Sequence, residues 1–230
     1  MKTIGLIGGM SWESSIEYYR IINETVRQRL GGLHSAKSLI YSVDFAEVEK
    51  LQKGQRWEEA TEVMIDAARA LERGGADFVI ICTNTMHLMA EQVEAGIGIP
   101  LLHIADATAA RIKEKGYDTI GLLGTSFTME ADFYRGRLEQ MHDLNVIIPE
   151  GPDRKMVHKV IYDELCCGKI SELARRRYLE VIERLVNRGS EAIILGCTEI
   201  GLLVKDKDSP VELFDTARIH AVAAVEYALA

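Results

Sequence analysis

The sequence predicts an α/β protein built from two similar parallel-sheet domains, and three observations support this fold class. Short apolar runs alternate with longer stretches of helical period, which is typical of parallel α/β sheets. Several runs are apolar throughout, as expected for strands that helices cover on both faces. The third observation is an internal repeat, in which residues 3–8 (TIGLIG) return as residues 119–124 (TIGLLG).

In chain order, seven apolar runs are predicted strands, and eight stretches of helical period are predicted helices. The strands are predicted at residues 3–7, 37–43, 78–81, 100–103, 119–123, 146–148 and 192–195. The helices are predicted near residues 14–29, 57–73, 85–95, 106–115, 129–141, 156–164, 170–187 and 216–228. The charged run at residues 47–59 is interpreted as the solvated face of a helix or loop.

A second repeated segment defines the two halves. Residues 75–81 (GADFVII) are echoed by residues 189–195 (GSEAIIL), and each copy leads from a glycine through a strand to a Cys/Thr turn. Strands of α/β proteins resemble one another by chance, but two repeated segments at nearly the same shift favour two halves. These would be related by pseudo-twofold symmetry, with the active site in the cleft between them. The predicted domains are residues 1–98 with 209–230, and residues 99–208.

The composition limits the classes of function. Of 230 residues, 47% are hydrophobic and 27% charged, as in an ordinary globular protein with a sizeable core. The net charge of −8 argues against nucleic acid or an anionic membrane as partner, because both attract basic surfaces. No apolar run reaches the roughly 18 residues of a membrane helix. The N-terminus reads as a strand rather than a signal peptide, so a cytoplasmic location is expected.

Reactive side chains follow the two repeated strands, in residues 82–85 (CTNT) and 196–199 (GCTE). Ligands of open α/β sheets bind beyond the carboxyl ends of strands, where backbone N–H groups favour an anion and lower a thiol pKa. Inverting a stereocentre through a planar carbanion needs a base on one face and an acid on the other. A single cysteine is more often an apolar core residue, but cysteines in matching repeat positions favour such chemistry.

With these motifs the chain resembles the aspartate/glutamate racemase family of cofactor-independent amino-acid racemases. The resemblance covers the whole chain and is carried by residues 8–10 (GGM), 84–87 (NTMH), 124–125 (GT) and 196–199 (GCTE). It is close to an enterobacterial branch of broad or aspartate/glutamate specificity. The resemblance implies racemisation of a free amino acid by two-face proton transfer without pyridoxal phosphate. It also implies a homodimer, and it makes Cys197 one of two catalytic thiols.

The first strand end departs from the family pattern. There the family reads Cys-Asn-Thr-x-His, whereas here Thr83 precedes Asn84 and Cys82 lies one residue earlier. Counting from the repeat glycines matches Thr83 with Cys197, although a register shifted by one residue matches Cys82 instead. A one-residue step turns a side chain to the other face, so only one of the two can face substrate, and Thr83 is favoured. The resemblance implies that the second-half cysteine removes the α-proton of the L-isomer and that the first site acts on the D-isomer. Because a hydroxyl is a poorer base than a thiol, we therefore expect the L-isomer to be turned over faster than the D-isomer.

The substrate-binding residues are predicted from their positions. Asn84, Thr85 and Thr198 offer donors to the α-carboxylate. Met10 and Thr125 follow the equivalent glycine turns and are expected to line the cleft. The remaining candidates are Gln52, which only family analogy suggests, Glu199, which either tunes Cys197 or stabilises a helix start, and His87, which is either a support for the first site or structural. No cofactor or metal is expected, because the sequence lacks nucleotide-binding loops, a pyridoxal lysine and metal-ligand spacing.

A second departure bears on specificity. Relatives that prefer aspartate carry an Arg after the second strand and a Lys that hold the distal carboxylate, whereas residues 46–49 contain no Arg and Cys166 stands in place of the Lys. This favours a broader substrate range than aspartate and glutamate, unless Lys50, Lys53 or Lys169 holds the distal carboxylate instead. The alternatives are a hydantoin racemase, a maleate isomerase or a malonate decarboxylase of the same superfamily, or a protein that binds an amino acid without turnover.

Overall fold

The computed structural model describes residues 1–230, which divide into two compact units, Met1–Ile104 with His220–Ala230 and Ala105–Ile219. The strands are β1 (Ile4–Gly8), β2 (Ser38–Ser42), β3 (Phe78–Ile81), β4 (Thr119–Gly124), β5 (Asn145–Ile147), β6 (Ala192–Gly196) and β7 (Glu212–Asp215). The α-helices are α1 (Trp12–Leu30), α2 (Phe45–Lys53), α3 (Trp57–Arg73), α4 (Ala90–Ala95), α5 (Ile104–Glu114), α6 (Ser126–Glu130), α7 (Arg135–His142), α8 (Gly151–Asp163), α9 (Glu172–Asn187), α10 (Ile200–Leu203) and α11 (Thr216–Leu229). Short 3-10 segments occupy Thr85–Met89, Leu165–Cys167 and Asp206–Asp208. No helix is both long and apolar enough to cross a membrane.

The first unit is built on a three-stranded parallel sheet in the order β2-β1-β3. Strands β1 and β3 are buried along their whole length, whereas β2 forms a partly exposed edge. Helix α3 contributes Met64, Ala67 and Leu71 to the same hydrophobic cluster as Ile7 and Ile81 of the sheet. This packing fixes the carboxyl end of β3, from which the first candidate site residues leave.

The second unit is built on a four-stranded parallel sheet in the order β5-β4-β6-β7. Strands β4 and β6 pair in register as far as Gly124 and Gly196. The next residues, Thr125 and Cys197, therefore leave the sheet at the same end. Two units with all-parallel sheets and intervening helices confirm the predicted fold class.

The internal repeat is present in the backbone of both units. Gly75 and Gly189 adopt φ angles of +94° and +98°, which glycine tolerates at little steric cost. Three residues after each glycine, β3 and β6 begin. In each unit an acidic side chain just before that strand accepts a hydrogen bond from the backbone N–H of a threonine at the start of the neighbouring strand. These bonds join Asp77 to Thr3 and Glu191 to Thr119.

The last helix is anchored in the first unit by a buried histidine. The His220 Nε2 donates to the Leu102 carbonyl oxygen at 2.8 Å, and its Nδ1 accepts from the Tyr18 hydroxyl at 3.0 Å. Burial lowers the pKa of His220 to about 4. The ring is therefore neutral at neutral pH, with its proton on Nε2, and it joins α11 to α1 and to the chain before α5.

Several predicted elements differ from the structure. The strand predicted at residues 100–103 is only an isolated bridge between Leu101 and Val79, since Pro100 has no N–H to extend the ladder. The helices predicted at residues 85–95 and 129–141 are each divided into two segments. The charged run at residues 47–59 covers most of α2, the turn after it and the start of α3.

The predicted domain boundaries also differ from the limits of the two units. The prediction assigned residues 209–230 to the first domain, but β7 was not predicted. Since β7 pairs with β6, residues 212–215 belong to the sheet of the second unit, which extends to Ile219. The first unit in turn continues to Ile104 instead of ending at residue 98.

Candidate active site

Two neighbouring side chains at the end of β3 have opposite environments. The backbone N–H of Cys82 still donates to the Ile7 carbonyl oxygen at 2.9 Å, so this residue continues the sheet. Its thiol is buried, and burial raises the thiol pKa. Thr83 is partly exposed. At this strand end a molecule arriving from solvent therefore meets Thr83 rather than Cys82.

Thr83 and Cys197 occupy equivalent backbone positions in the two units. Each lies eight residues beyond a glycine of positive φ. The alternative alignment, through Gly74, would make Cys82 the counterpart of Cys197, but Gly74 has a φ of −74° and ends a helix in the right-handed region. The backbone thus follows the register that matches Thr83 with Cys197.

The loop after Thr83 is held from within by His87. The backbone N–H of Ile104 donates to His87 Nε2 at 3.2 Å, so this nitrogen carries no proton. His87 Nδ1 therefore donates to the Thr83 carbonyl oxygen, at 2.8 Å. Since both ring nitrogens are engaged and the ring is buried, His87 positions the Thr83 backbone and is not itself placed for proton transfer. The buried side chains of Asn84 and Thr85 lie in the loop segment that it fixes.

Cys197 follows β6 and lies in a cluster of three consecutive polar side chains. Its thiol donates to Glu199 Oε2 at 2.9 Å, and the Thr198 hydroxyl donates to the same oxygen at 2.9 Å. All three residues are buried, and Cys197 retains 8% exposure. The Glu199 carboxylate is therefore turned toward the thiol, as one of the two predicted roles for this residue requires.

The expectation of a lowered thiol pKa is wrong for Cys197. Burial first, and then the negative charge of Glu199, raise the pKa of the Cys197 thiol well above its usual range. The following helix, α10, has only four residues, so its dipole is too small to offset these effects. The resting thiol is a protonated acid with a carboxylate acceptor, and its thiolate would be a strong base.

Two further side chains without positive charge, those of Tyr178 and Cys166, lie near Cys197. The Tyr178 hydroxyl donates to the Val157 carbonyl oxygen at 2.9 Å. Burial, and then the nearby thiols of Cys197 and Cys166, raise the pKa of Tyr178. Cys166, predicted to replace a family lysine, therefore lies in the neighbourhood of Cys197 and brings no positive charge there. Sequence analysis missed Tyr178, because an aromatic residue within a helical pattern does not differ from an ordinary core residue.

The other predicted binding residues each contact residues of their own unit. Thr125 caps α6, since its Oγ1 accepts from the Thr128 N–H at 3.2 Å, and it lies beside the end of β6. The Gln52 amide donates to the Met86 sulfur at 3.1 Å, next to Thr85. Met10 is 3% exposed and belongs to the hydrophobic cluster of the first unit. Their contact with substrate stays a prediction. No group of three or more His, Cys, Asp or Glu side chains is placed to hold a metal ion.

The Glu199→Gln variant tests the electrostatic coupling at Cys197. Removing the carboxylate charge should lower the pKa of the thiol, because the glutamine oxygen still accepts the hydrogen bond while the repulsion of the thiolate disappears. The ultraviolet absorbance of the thiolate, followed against pH and corrected with Cys197→Ala, measures this change. Glu183→Gln, an exposed substitution on α9, is the matched control. An unchanged Cys197 titration in Glu199→Gln would contradict the coupling.

Comparison with known proteins identifies relatives along the whole chain. A family model described as Asp/Glu/Hydantoin racemase matches residues 7–224. The chain is 22% identical to the broad specificity amino-acid racemase RacX of Bacillus subtilis over 180 residues, covering 75% of this chain and 74% of that protein. It is 29% identical to a glutamate racemase of Persephonella marina over 141 residues, covering 60% and 52% of the two chains.

Solved structures resemble the chain over its full length. A Yersinia pestis protein assigned to the Asp/Glu racemases is 55% identical, with a TM-score of 0.93 and 100% coverage of both chains. An aspartate racemase homologue from Pyrococcus horikoshii is 35% identical, with a TM-score of 0.86 and the same coverage. A glutamate racemase from Francisella tularensis, at 16% identity and a TM-score of 0.64, covers 99% of this chain and 81% of its own and shares the fold.

Proposed function

Because the chain belongs to the Asp/Glu/hydantoin racemase family, we propose that it racemises a free amino acid by moving the α-proton, without pyridoxal phosphate or a metal. The observation that carries the proposal is the pair of equivalent strand ends, with Cys197 beside Glu199 at one and Thr83 at the other. Inversion at the α-carbon needs one proton-transferring group for each face. The repeat supplies one at each strand end.

Cys197 serves the L-isomer in this mechanism. Glu199 accepts the thiol proton along the existing 2.9 Å hydrogen bond, and the thiolate then removes the α-proton of the amino acid. The high thiol pKa makes the thiolate a strong base, which suits a carbon acid as weak as an amino acid. After the carbanion takes a proton on its other face, Glu199 releases the proton it accepted to solvent, and the protonated thiol beside a carboxylate is restored.

Donors near the two strand ends stabilise the charge that develops on the substrate. When the α-proton leaves, negative charge spreads from the α-carbon onto the carboxylate. We assign Asn84, Thr85 and Thr198 to that carboxylate, with Met10, Gln52 and Thr125 as further contacts to the substrate. Preorganised donors of this kind stabilise a transition state more than water does, because they need no reorientation.

Thr83 makes the proposed enzyme asymmetric. Its hydroxyl delivers or relays a proton to the carbanion, with water supplying the replacement, but it removes an α-proton poorly because a hydroxyl is a far weaker acid than a thiol. Exchange of the α-proton with solvent is therefore faster from the L-isomer than from the D-isomer. If Cys82 were the acting group, its thiol would have to reach the substrate although Cys82 is only 1% exposed, against 8% for Cys197.

The substrate class is a free amino acid, with aspartate and glutamate first and neutral amino acids included. Cys166 and Tyr178 beside Cys197 bring no positive charge to bind a distal carboxylate. This supports a range broader than the two acidic amino acids.

Proton NMR in D₂O tests the proposal directly. The purified protein is incubated separately with the L- and D-forms of aspartate, glutamate and several neutral amino acids. Loss of the α-proton signal without added cofactor is expected, and about tenfold faster from the L-isomers, because a thiolate and a hydroxyl differ greatly as bases. Cys167→Ala replaces an exposed cysteine and serves as the control; it should behave as the wild type.

Two outcomes would contradict the proposal. Equal exchange rates from the two enantiomers would exclude the asymmetric roles of Cys197 and Thr83. No exchange from any amino acid would favour the one-donor reaction that the missing first thiol also suits, decarboxylation of a malonate-like acid, or simple binding. Release of carbon dioxide from malonate and calorimetric titration with aspartate would separate these two.

A further inference from the structure

The turn after β4 lies against the residue that precedes Cys197. Strand β4 ends at Gly124, which pairs with Gly196 of β6. A Cβ on Gly124 would lie 2.8 Å from the Gly196 carbonyl oxygen, so the two strand ends approach too closely for a side chain between them. The Thr128 Cγ2 would lie 3.2 Å from a Cβ on Gly124 and 3.3 Å from one on Gly196. The turn at residues 124–128 is therefore supported by β6.

The same turn starts helix α6, whose first backbone donors need acceptors from outside the helix ladder. The first N–H groups of a helix have no partner within the helix. Thr125 supplies one acceptor, because its Oγ1 accepts from the Thr128 N–H at 3.2 Å. The Ser126 N–H, at the first position of the helix, donates at 3.1 Å to Nδ1 of His158, which lies on α8. A side chain from a separate helix therefore completes the cap of α6.

The His158 ring is held in an orientation that suits this contact. Its centroid lies 4.9 Å from that of Tyr162, one turn further along α8, and 6.4 Å from that of Phe127 in the turn. Because a backbone N–H can only donate, Nδ1 carries no proton, and the proton of the neutral ring is on Nε2. A protonated ring would present a second N–H to the Ser126 N–H, and the hydrogen bond would be lost. The contact therefore requires neutral histidine.

Two acidic side chains act on His158, one from each of the helices that meet there. Burial lowers the pKa of the His158 ring, and the negative charges of Glu130 on α6 and Asp163 on α8 oppose this shift without cancelling it. Glu130 is itself paired with Arg154, at 2.8 Å. The hydrogen bond from the Ser126 N–H is therefore present at neutral pH, and it is lost as the pH falls through the lowered pKa of His158.

We propose that neutral His158 holds the turn at residues 124–128 in the position from which Thr125 contacts the amino acid, so that His158 is a positioning residue of the enzyme. This role rests on the proposed function, in which Thr125 is a contact to the substrate. Without the imidazole, the Ser126 N–H loses its acceptor and the turn keeps only its support from β6. Thr125, next to Ser126 in the chain, is then less well placed.

The first unit contains a comparable contact. There the His87 Nδ1 donates to the Thr83 carbonyl oxygen at 2.8 Å. In each unit a histidine therefore holds the backbone at, or next to, a threonine that is assigned to the substrate. The two contacts differ in direction, because His87 donates from Nδ1 whereas His158 accepts at Nδ1.

The test measures kcat and KM by α-proton exchange in D₂O, with the L-amino acid that the wild type exchanges fastest among those named above. His158→Leu removes the acceptor but keeps an apolar side chain beside Tyr162, and it should raise KM about tenfold, because the Ser126 N–H is left unpaired. The kcat should change by less than about twofold, since Thr125 contacts substrate and transition state alike. His158→Asn places an amide oxygen near the position of Nδ1 and should keep the wild-type KM. His34→Leu, at an exposed histidine, is the matched control.

A pH profile separates this positioning role from a purely structural one. The KM of the wild type should rise as the pH falls from about 8 to about 5, because protonation of His158 removes the acceptor. His158→Asn does not protonate in this range and should show no such rise. Both proteins bind the same amino acid, so the difference between their profiles isolates His158.

Two kinds of failure can be told apart. A wild type that exchanges no amino acid would overturn the proposed function and this role of His158 with it. If the wild type is active but His158→Leu keeps its KM, or if His158→Asn loses as much as His158→Leu, only the role of His158 is overturned. Circular dichroism verifies folding, and if His158→Leu does not fold, the pH profiles of the wild type and His158→Asn decide.

Discussion

Replacing Cys197 with alanine is expected to reduce α-proton exchange from L-amino acids by about 10³-fold, which lies within the range that general acid–base groups contribute. The reason is the local arrangement, in which the thiol is the group at the end of β6 with a carboxylate ready to accept its proton. Exchange is measured by proton NMR in D₂O at saturating substrate. Affinity for the amino acid, measured by calorimetry, should change little, since Thr198 and Asn84 remain.

Two comparisons separate a catalytic role from a structural one. Cys167→Ala removes an exposed thiol that has no part in the proposal and should keep full activity. Cys197→Ser keeps the shape of the side chain and its hydrogen bond to Glu199, yet should lose nearly as much activity as Cys197→Ala because a hydroxyl is a poor proton carrier. Full activity of Cys197→Ala would show that another group removes the proton.

Introducing a thiol at the end of β3 is expected to increase proton exchange, whereas removing the Cys197 thiol decreases it. Thr83→Cys should raise exchange from D-amino acids by about tenfold, because a thiol transfers protons far more readily than a hydroxyl. Thr83 is partly exposed and its backbone carbonyl is fixed by His87, so the change should not disturb the loop. The ratio of L- to D-exchange rates should then approach unity.

The adjacent thiol provides the control for that experiment. In a Thr83→Cys variant that also carries Cys82→Ala, the gain on the D-side should persist, since the buried thiol is not the acting group. If Cys82→Ala alone abolishes D-side exchange, or if Thr83→Cys leaves it unchanged, then Thr83 does not face the substrate.

Sequence periodicity was sufficient to predict the bounds of an element where its pattern is regular and ends at a clear boundary. The bounds of β3 and α3 were predicted at the observed residues, because an apolar run ends at a polar turn and a regular helical pattern ends at Gly74. Strand β7 was missed because Glu212 and Asp215 flank its two apolar residues and the sequence before it reads as a boundary. Its role is fixed by pairing with β6, which local sequence does not encode.

The backbone register of the two strand ends could be predicted from the sequence, whereas the electrostatics of Cys197 could not. The repeat spacing matched Thr83 with Cys197, and the positive-φ glycines follow that register. The pKa of Cys197, in contrast, depends on how deeply β6 is buried and on the Glu199 side chain turning back onto the sulfur. Both are properties of packing. The general rule that the end of a strand lowers a thiol pKa therefore predicted the wrong direction for the pKa shift of Cys197.

The histidine that anchors α11 has a consequence for biosynthesis. The second unit is one uninterrupted segment of the chain, whereas the first unit lacks His220 and the residues after it until the whole of the second unit has been synthesised. Until then Tyr18 and Leu102 have no His220 to bind. The unit whose synthesis starts first can therefore be completed only after the other unit has been synthesised in full.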